Sequence, residues 1–211
     1  LRNILLIRHV ESLEDVNPSL HNIPHGHVVG LTSRGIEQAR GLGIQLAKET
    51  GGVRYRVYLS PSYRAQETWR ILAEGLPPPE VTILEPRIRN LNWGTITPET
   101  RPSIEAERYR AGVLNYNFPG GDSTPAYVQD VDAFLSEVLQ NRRGFEFPEQ
   151  VWILTHGFAL RVIVRRLLSL SDEDFRWLRN PPNGYLLGLQ YESLSDTFVS
   201  TAPLLRMSTL E

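Results

Sequence analysis

Two histidines in this chain each follow an apolar run that predicts a buried strand. His9 comes after residues 3–7, and His156 comes after residues 151–155. Signals for a turn or a helix follow each histidine. In an open α/β sheet the carboxyl ends of the strands form the ligand crevice, so residues far apart in sequence can meet there. The sequence therefore predicts that His9 and His156 share one site.

Two arginines bring positive charge to the same edge of the predicted sheet. Arg8 directly precedes His9, and Arg64 falls in the first turns of a helix that opens at Ser60-Pro61-Ser62. Guanidinium groups match phosphate oxygens in bidentate fashion, and a helix N-terminus favours an anion. These residues predict a polar, positively biased pocket that suits a phosphoryl group and needs no metal.

The elements that must position these residues alternate along the chain as strand, loop and helix. Apolar runs predict strands at residues 4–8, 56–59, 81–84, 151–155 and 185–189, and apolar periodicity predicts helices at residues 33–48, 62–74, 104–110 and from residue 123 onward. Such alternation predicts a mostly parallel central sheet with helices on both sides, a three-layer α/β/α sandwich.

Composition limits the classes of function. The chain has 211 residues, 41% of them hydrophobic, which suffices for one α/β domain with a full core. Its 22 basic and 24 acidic residues give a net charge of -2, so we expect no nucleic-acid partner and no membrane partner. The absence of cysteine excludes disulfides, thiolate catalysis and cysteine-ligated metals.

The opening residues 1–7 are too short for a signal sequence or a membrane span, and they lead directly to Arg8. We interpret them as a core strand of a soluble, cytoplasmic protein. Because the chain does not begin with Met, a preceding segment or a cleaved targeting peptide remains an open alternative. The sequence does not define the oligomeric state, and a homodimer is among the states it permits.

Five blocks appear in an order that is typical of one protein family. They are Arg8-His9 after the first strand, residues 31–40, Ser60-Pro61 with Arg64, Ala65 and Thr68, residues 118–123, and residues 155–157. In these blocks, which span about residues 4–190, the chain resembles the histidine phosphatase superfamily, also called the phosphoglycerate mutase-like family. The resemblance implies one domain over residues 1–211, with a lid or side-lobe insertion at about residues 95–121.

The resemblance also implies a reaction without a cofactor. His9 would attack phosphorus and form a phosphohistidine, while Arg8 and Arg64 would bind the equatorial oxygens. His156 would donate a hydrogen bond to a phosphoryl oxygen. The expected partner is a small, anionic, phosphorylated substrate, and Glu11 and Gly157 are expected to lie at its binding site.

Three positions expected at the substrate site depart from the family pattern. Val10 stands where Gly is usual, and we expect its side chain to narrow the pocket. Asp15 replaces an Asn that contacts phosphate, and its carboxylate would repel a phosphate dianion unless it is protonated or paired. Asn90 replaces a Glu that acts as general acid, and losing such an acid costs about 10²- to 10⁴-fold in rate. Candidate replacement acids are Glu11, Asp15, Glu85 and Asp122.

A histidine-rich loop raises the question of a metal site. It contains His21, His25 and His27, but it is interrupted by Pro24 and Gly26 and lacks a fixed ligand spacing or a carboxylate partner. We therefore expect no metal, and we expect a structural role for this loop or a place at the rim of the substrate site, where His25 or His27 would contact substrate. Of the two, we assign His27 to the substrate rim.

Two functions remain open at this point. The first is a phosphomonoesterase or phosphotransferase that acts through a phosphohistidine on a small phosphorylated substrate. The alternative is a repurposed or noncatalytic protein of the same fold, whose pocket binds a non-phosphate small molecule or anion. The residues Val10, Asp15 and Asn90 favour the alternative, whereas the presence of two histidines and two arginines in one cleft favours the enzyme.

Overall fold

The computed structural model describes residues 2–17, 20, 29–50, 52–141 and 148–207, apart from the side chains of residues 49 and 50. Six strands form one sheet in the order β3-β2-β4-β1-β5-β6. They are β1 (Asn3–Arg8), β2 (Tyr55–Leu59), β3 (Val81–Leu84), β4 (Gln150–Thr155), β5 (Leu186–Glu192) and β6 (Thr197–Ser200). Strands β1 to β4 pair in parallel, and β5 and β6 extend the β1 edge through antiparallel pairings.

Helices connect the parallel strands and cover the sheet. They are α1 (Leu13–Val16), α2 (Ser33–Thr50), α3 (Tyr63–Leu72), α4 (Arg101–Ala111), α5 (Thr124–Asn141), α6 (Gly157–Leu167) and α7 (Asp172–Trp177), with short 3₁₀ turns at Ala73–Gly75 and Pro86–Ile88. None of the described helices combines the length and the apolar character needed to cross a membrane.

Alternation along the central strands explains the layers. On β1, Ile4 and Leu6 belong to the core cluster that includes apolar residues of α5 and α6, whereas Ile7 belongs to the cluster that includes residues of α2 and α3. On β4, Ile153 lies in the first cluster and Trp152 in the second. Because successive side chains of a strand point to opposite faces, each face receives its own helical layer. This confirms the predicted three-layer α/β/α sandwich with a mostly parallel sheet.

The register of β1 and β4 brings the two histidines to the same level. The strands pair in parallel with Arg8 opposite Thr155. A histidine follows each of these residues, and the amide of His9 donates to the carbonyl oxygen of Thr155 at 3.0 Å. On the other side of β4 lies β2, so Ser60 emerges at the same edge. The sheet thus presents its polar residues along one carboxyl edge.

Most element bounds agree with the sequence predictions, and the differences have local causes. Helix α4 begins at Arg101 rather than at Ile104, with Pro102 in its first turn. Proline is tolerated there because the first helical N–H groups have no partner within the helix. The sequence does not predict α1, α7 or β6, which are four, six and four residues long and therefore carry little periodicity.

The segment at residues 95–121, expected to form a lid or side lobe, consists of α4 and a stretch that packs against the body. Val113, Leu114, Tyr116 and Phe118 are buried in the same core cluster as residues of β1 and β4. This burial anchors the second half of the segment. Its role as a lid stays a prediction.

Candidate active site

His9 and His156 lie side by side at the carboxyl edge of the sheet. Their ring centroids are 5.0 Å apart, and their planes meet at 57°. Both residues are buried, with 3% and 2% of their surface exposed. The parallel pairing of β1 with β4 accounts for this proximity, since each histidine directly follows its strand.

Hydrogen bonds fix the tautomer of His9. Its Nδ1 lies 2.8 Å from the carbonyl oxygen of Val10. Because a carbonyl oxygen can only accept, Nδ1 carries the proton. Nε2 then accepts a hydrogen bond from Nε of Arg64 at 3.2 Å. The unprotonated nitrogen is thus directed toward Arg64 in the site, and a nucleophilic imidazole requires such an unprotonated nitrogen.

His156 is oriented by two serines and by the same arginine. Its Nε2 lies 2.9 Å from Oγ of Ser60 and 3.0 Å from Oγ of Ser62. Its Nδ1 accepts from Nη2 of Arg64 at 3.3 Å, which places the ring proton on Nε2. Arg64 therefore donates to both histidines at once.

Burial keeps both imidazoles neutral. Desolvation, reinforced by the charges of Arg64 and Arg8, lowers the pKa of His9 from 6.5 to about 3. Desolvation and the charge of Arg64 likewise hold the pKa of His156 well below its usual value. A neutral imidazole retains its free electron pair, so His9 is available as a nucleophile across the neutral pH range.

Arg64 also binds a carboxylate. Its Nη1 donates a short hydrogen bond to Oε2 of Glu14, a residue of α1. The two residues are 5% and 8% exposed. Each buried charge would be costly alone, and each offsets the other. Glu14 thus occupies a donor position through which Arg64 could bind a phosphoryl oxygen.

Arg8 pairs with the neighbouring carboxylate of α1. Its Nη2 lies 3.4 Å from Oδ1 of Asp15, and its Nη1 donates to the carbonyl oxygen of Pro181. The side chains of Arg8 and Asp15 are 14% and 23% exposed, so the pair lies nearer to solvent than the pair of Arg64 and Glu14.

Asp15 has further partners. Its Oδ2 accepts from the amide and the hydroxyl of Ser12 at 2.8 and 2.6 Å, and from Nδ2 of Asn183 at 3.1 Å. Burial alone would raise the pKa of this carboxyl group, but the hydrogen bonds from Ser12 and the charge of Arg8 bring the pKa below its usual value. Asp15 is therefore an ionised residue that fixes α1 to the site.

The two arginines of the site are thus matched by two carboxylates. The expectation of a positively biased pocket is wrong in this respect, because Glu14 and Asp15 of α1 both pair with site arginines. Two helix N-termini also lie here, since α3 begins after Ser62 and α6 begins after His156. Their partial positive charge favours a bound anion.

The side chain of Val10 does not line the pocket. Val10 is completely buried and lies in a cluster with Leu31, Ala39 and Ile71. The expected narrowing of the pocket is therefore wrong, because the side chain turns into the core beneath α2. The backbone carbonyl of Val10 contacts the site through His9.

Glu11 connects the loop after β1 to α2. Its carboxylate accepts from Oγ1 of Thr32 at 2.8 Å and lies 3.4 Å from Nη1 of Arg34, while its amide donates to Gln38 at 3.0 Å. A Cβ atom on Gly35 would overlap the carbonyl oxygen of Glu11, so glycine permits this close approach. These contacts are structural, and a substrate contact by Glu11 stays a prediction.

The remaining candidate acids bind arginines other than Arg8 and Arg64. Glu85 accepts from Nε and Nη2 of Arg87 at 2.7 Å each. Asp122 accepts from Nη1 and Nη2 of Arg89 at 2.6 and 3.1 Å. Asn90 is exposed, and within the described part of the chain no hydrogen bond joins it to either histidine. A substrate contact by Asn90 stays a prediction.

Gly157 lets the segment before β5 approach the site. A Cβ atom on Gly157 would overlap the side chain of Asn180. In the same segment, Nδ2 of Asn183 donates to the carbonyl oxygen of Val10 at 3.3 Å. Gly157 therefore has a packing role, and its contact with substrate stays a prediction.

His27 lies outside the described residues, as do His21 and His25. The assignment of His27 to the substrate rim and the expectation of no metal therefore stay predictions. Among the residues that the structure describes, no group of three His, Cys, Asp or Glu side chains could hold a metal ion.

Some residues of the site are not predicted as site residues from the sequence. They are Glu14, Ser60, Asn183 and Ser62, which also contacts His156. Ser60 belongs to one of the five sequence blocks, and its position after a strand is the available signal. The signal for Glu14 is weaker: an acidic pair, Glu14-Asp15, shortly after Ser12 is typical of a helix N-terminus but does not show which way each carboxylate points.

The fold and the histidine-arginine arrangement together define a class of protein. The family model of the histidine phosphatase superfamily (branch 1) matches residues 4–201. This chain belongs to that superfamily.

Several relatives are similar over much of the chain. It is 28% identical over 197 residues to a phosphoglycerate mutase-like protein of Arabidopsis thaliana, covering 85% of this chain and 70% of that protein. It is 32% identical over 154 residues to a 2,3-bisphosphoglycerate-dependent phosphoglycerate mutase of Parvibaculum lavamentivorans, covering 69% and 71%. A mycobacterial glucosyl-3-phosphoglycerate phosphatase shares the fold, with a TM-score of 0.71 at 20% identity over 98% of this chain and 99% of that one.

Proposed function

We propose that this chain is a phosphomonoesterase or phosphotransferase that acts on a small phosphorylated substrate through a phosphohistidine at His9. The observation that supports this most is the state of His9. It is buried and neutral, and its unprotonated Nε2 faces Arg64 beside a second neutral histidine. A nucleophile with this geometry can form a bond to phosphorus without a metal or a cofactor.

The neighbours of His9 have matching roles in the proposal. Phosphoryl transfer passes through a loose transition state whose charge is spread over the equatorial oxygens. Arg64 and Arg8 supply guanidinium donors for those oxygens, and the imidazole of His156 lies beside that of His9. The N-termini of α3 and α6 add partial positive charge.

The relatives support phosphoryl chemistry but leave the substrate open. Their names include two mutases or mutase-like proteins that are named for phosphoglycerate and one phosphatase of a phosphorylated sugar-glycerate compound. All of these names share a phosphate ester. We therefore propose small phosphate esters as the class of substrate.

A second candidate function is favoured by the pairing of Arg64 with Glu14 and of Arg8 with Asp15. In this candidate the pocket binds a non-phosphate small molecule, because both guanidinium groups are already neutralised. The two candidates differ in whether an oxyanion binds next to His9.

Steady-state kinetics with 4-nitrophenyl phosphate test the proposed function. We expect turnover by the wild type, competitive inhibition by vanadate, and loss of turnover in His9→Ala and His156→Ala. Thermal unfolding of each variant, with and without vanadate, checks that the variants fold. If the wild type shows neither turnover nor vanadate binding, the proposal is contradicted. If small carboxylates or neutral metabolites raise its unfolding temperature and vanadate does not, the second candidate is supported.

A further inference from the structure

Glu14 lies one guanidinium group away from both histidines of the site. Arg64 contacts Glu14 through Nη1, His9 through Nε and His156 through Nη2. The residue Glu14 is 8% exposed, so its carboxylate is largely removed from water. No other carboxylate forms an ion pair with Arg64 in the described part of the chain. Glu14 is therefore the acid best placed to exchange protons at this site.

The ion pair of Glu14 and Arg64 has charged and titratable neighbours. Arg64 of α3 also contacts His9 and His156, and Asp15 of α1 pairs with Arg8. Both histidines are neutral, and Asp15 is engaged with Arg8. Arg64 is therefore a positive partner of Glu14.

A phosphoryl group bound to Arg64 would change this balance. It would compete with Glu14 for the Nη1 donor and would place a second negative charge beside a buried carboxylate. A nearby like charge disfavours the ionised form of a carboxyl group, as does burial away from a counter-charge. Binding of a phosphate ester is therefore expected to be accompanied by proton uptake on Glu14.

We propose that Glu14 is the proton donor to the leaving group, an inference that rests on the proposed function. As Nε2 of His9 bonds to phosphorus, the ester P–O bond breaks and its electron pair passes to the ester oxygen. That oxygen takes the carboxyl proton of Glu14, which gives the free alcohol, phosphohistidine and a carboxylate. In the second step the carboxylate accepts a proton from the water that attacks phosphorus, and His9 is released with inorganic phosphate.

Other side chains are less suited to this step. Asn90 is an amide and cannot transfer a proton. Glu85 and Asp122 bind Arg87 and Arg89, and Asp15 accepts three hydrogen bonds from Ser12 and Asn183 in addition to its pairing with Arg8. Glu14 differs from them because it forms an ion pair with the arginine that contacts both histidines.

The test compares Glu14→Gln with Glu85→Gln. Glu85 is a matched control because it is a buried glutamate that binds Arg87 and not Arg64. Each variant is assayed with 4-nitrophenyl phosphate, whose leaving group needs no proton, and with an alkyl phosphate such as glycerol phosphate. We expect Glu14→Gln to lower kcat for the alkyl ester by about 10²- to 10⁴-fold and that for the aryl ester by less than about tenfold. Glu85→Gln should leave the alkyl-to-aryl ratio unchanged.

The pH profile gives a second readout. Wild-type turnover of the alkyl ester should fall as pH rises, because Glu14 must be protonated in the complex, and Glu14→Gln should lose this alkaline decline. Glu14→Asp keeps a carboxylic acid and should recover part of the alkyl activity together with the decline. It also serves as the informative variant if Glu14→Gln does not fold, because the proposal then requires a lowered alkyl-to-aryl ratio in Glu14→Asp.

Three results distinguish this inference from the proposed function. An unchanged alkyl-to-aryl ratio in Glu14→Gln, with phosphohistidine still formed, would overturn the role of Glu14 while the proposed function stands. Equal losses with both esters would overturn it too, since they would show that Glu14 merely positions Arg64. Absence of aryl turnover and of phosphohistidine in the wild type would overturn both.

Discussion

At the scale of single residues, Arg64 organises the site because one planar group reaches three partners. Its guanidinium contacts His9, His156 and Glu14 through three different nitrogens. A rigid fork of donors loses little conformational freedom for each hydrogen bond that it forms. The geometry of the candidate nucleophile therefore depends on the shape of this side chain as well as on its charge.

Replacement of Arg64 by Lys should separate shape from charge. A lysine ammonium keeps the charge but cannot contact all three partners, so we expect kcat/KM for an aryl phosphate to fall by about 10²- to 10³-fold and vanadate inhibition to weaken. Arg70→Lys, at an exposed position of the same helix, should leave both unchanged. Wild-type activity in Arg64→Lys would show that charge alone suffices.

Asp15→Asn should strengthen oxyanion binding. The change removes the negative charge that pairs with Arg8, while the amide oxygen of Asn can still accept from Ser12. We expect inhibition constants for phosphate and vanadate to fall by about tenfold, roughly 1.4 kcal/mol, which is a typical size for one charge interaction near a protein surface. Weaker binding in the variant would indicate that Asp15 acts by fixing α1 rather than by opposing the anion.

The sequence predicts some of these residues and cannot predict others, for physical reasons. His9, His156 and Arg8 can be placed because strand ends in a parallel sheet converge on one edge. The pairing of Glu14 with Arg64 depends on the direction in which a four-residue helix presents its side chains, and so short an element has no periodic pattern. The direction of the Val10 side chain could not be predicted either, because Val10 lies in a loop and a loop has no periodic pattern.

At the scale of elements, glycines set how closely the site-bearing segments approach one another. Gly157 begins α6 directly after His156, and the side chain of Asn180 occupies the space where a Cβ atom would lie. The segment that follows Asn180 reaches the loop after β1, where Asn183 donates to the carbonyl oxygen of Val10. The two segments can therefore approach this closely because residue 157 is a glycine and has no side chain.

Gly157→Ala should test that dependence. The added methyl group must displace Asn180, so we expect a loss of about 1–3 kcal/mol in the free energy of unfolding and a lower turnover. Gly41→Ala is the control, because the position that its methyl group would take on α2 has no neighbouring atom within 4 Å and alanine should stabilise the helix by about 0.5–1 kcal/mol. Urea unfolding measures both changes, and equal stability of the two variants would contradict the packing role.

At the scale of the whole molecule, two buried neutral histidines impose an acid limit on stability. Their pKa values lie below 6.5 in the folded protein, at about 3 for His9, so the unfolded chain binds more protons on the acid side of pH 6.5. The stability that they contribute is fully present above pH 6.5 and is lost as the pH falls toward 3. His9 should contribute a slope of about 1.4 kcal/mol per pH unit in that window, and His156 should add to the slope in the same direction.

Urea unfolding between pH 7.5 and 4.5 measures this slope. We expect the free energy of unfolding to fall with decreasing pH in the wild type, and His9→Gln to reduce the slope by about the share of one histidine. The comparison uses the slope and not the absolute stability, so a general loss of stability in the variant does not obscure it. A slope that is the same in both proteins would show that His9 titrates normally in the folded state.

The overall architecture follows from the sequence more directly than the site does. Alternating apolar residues such as Ile4, Leu6 and Ile7 reveal both faces of β1, and the order of strands and helices predicts the layered sheet that the structure shows. The antiparallel edge strand β6 could not be predicted, because four residues with little apolar alternation carry no clear pattern. Side-chain ion pairs between elements that are distant in sequence form only in the folded chain, so a local sequence pattern does not predict them.

The most direct test of the central claim is to trap the covalent intermediate. The wild type is mixed briefly with an aryl phosphate that carries a labelled phosphoryl group and is then quenched in alkali, where phosphohistidine persists. Our account predicts acid-labile label on the peptide that contains His9, and none in His9→Ala. Turnover of the substrate by the wild type without any label on His9 would contradict the account.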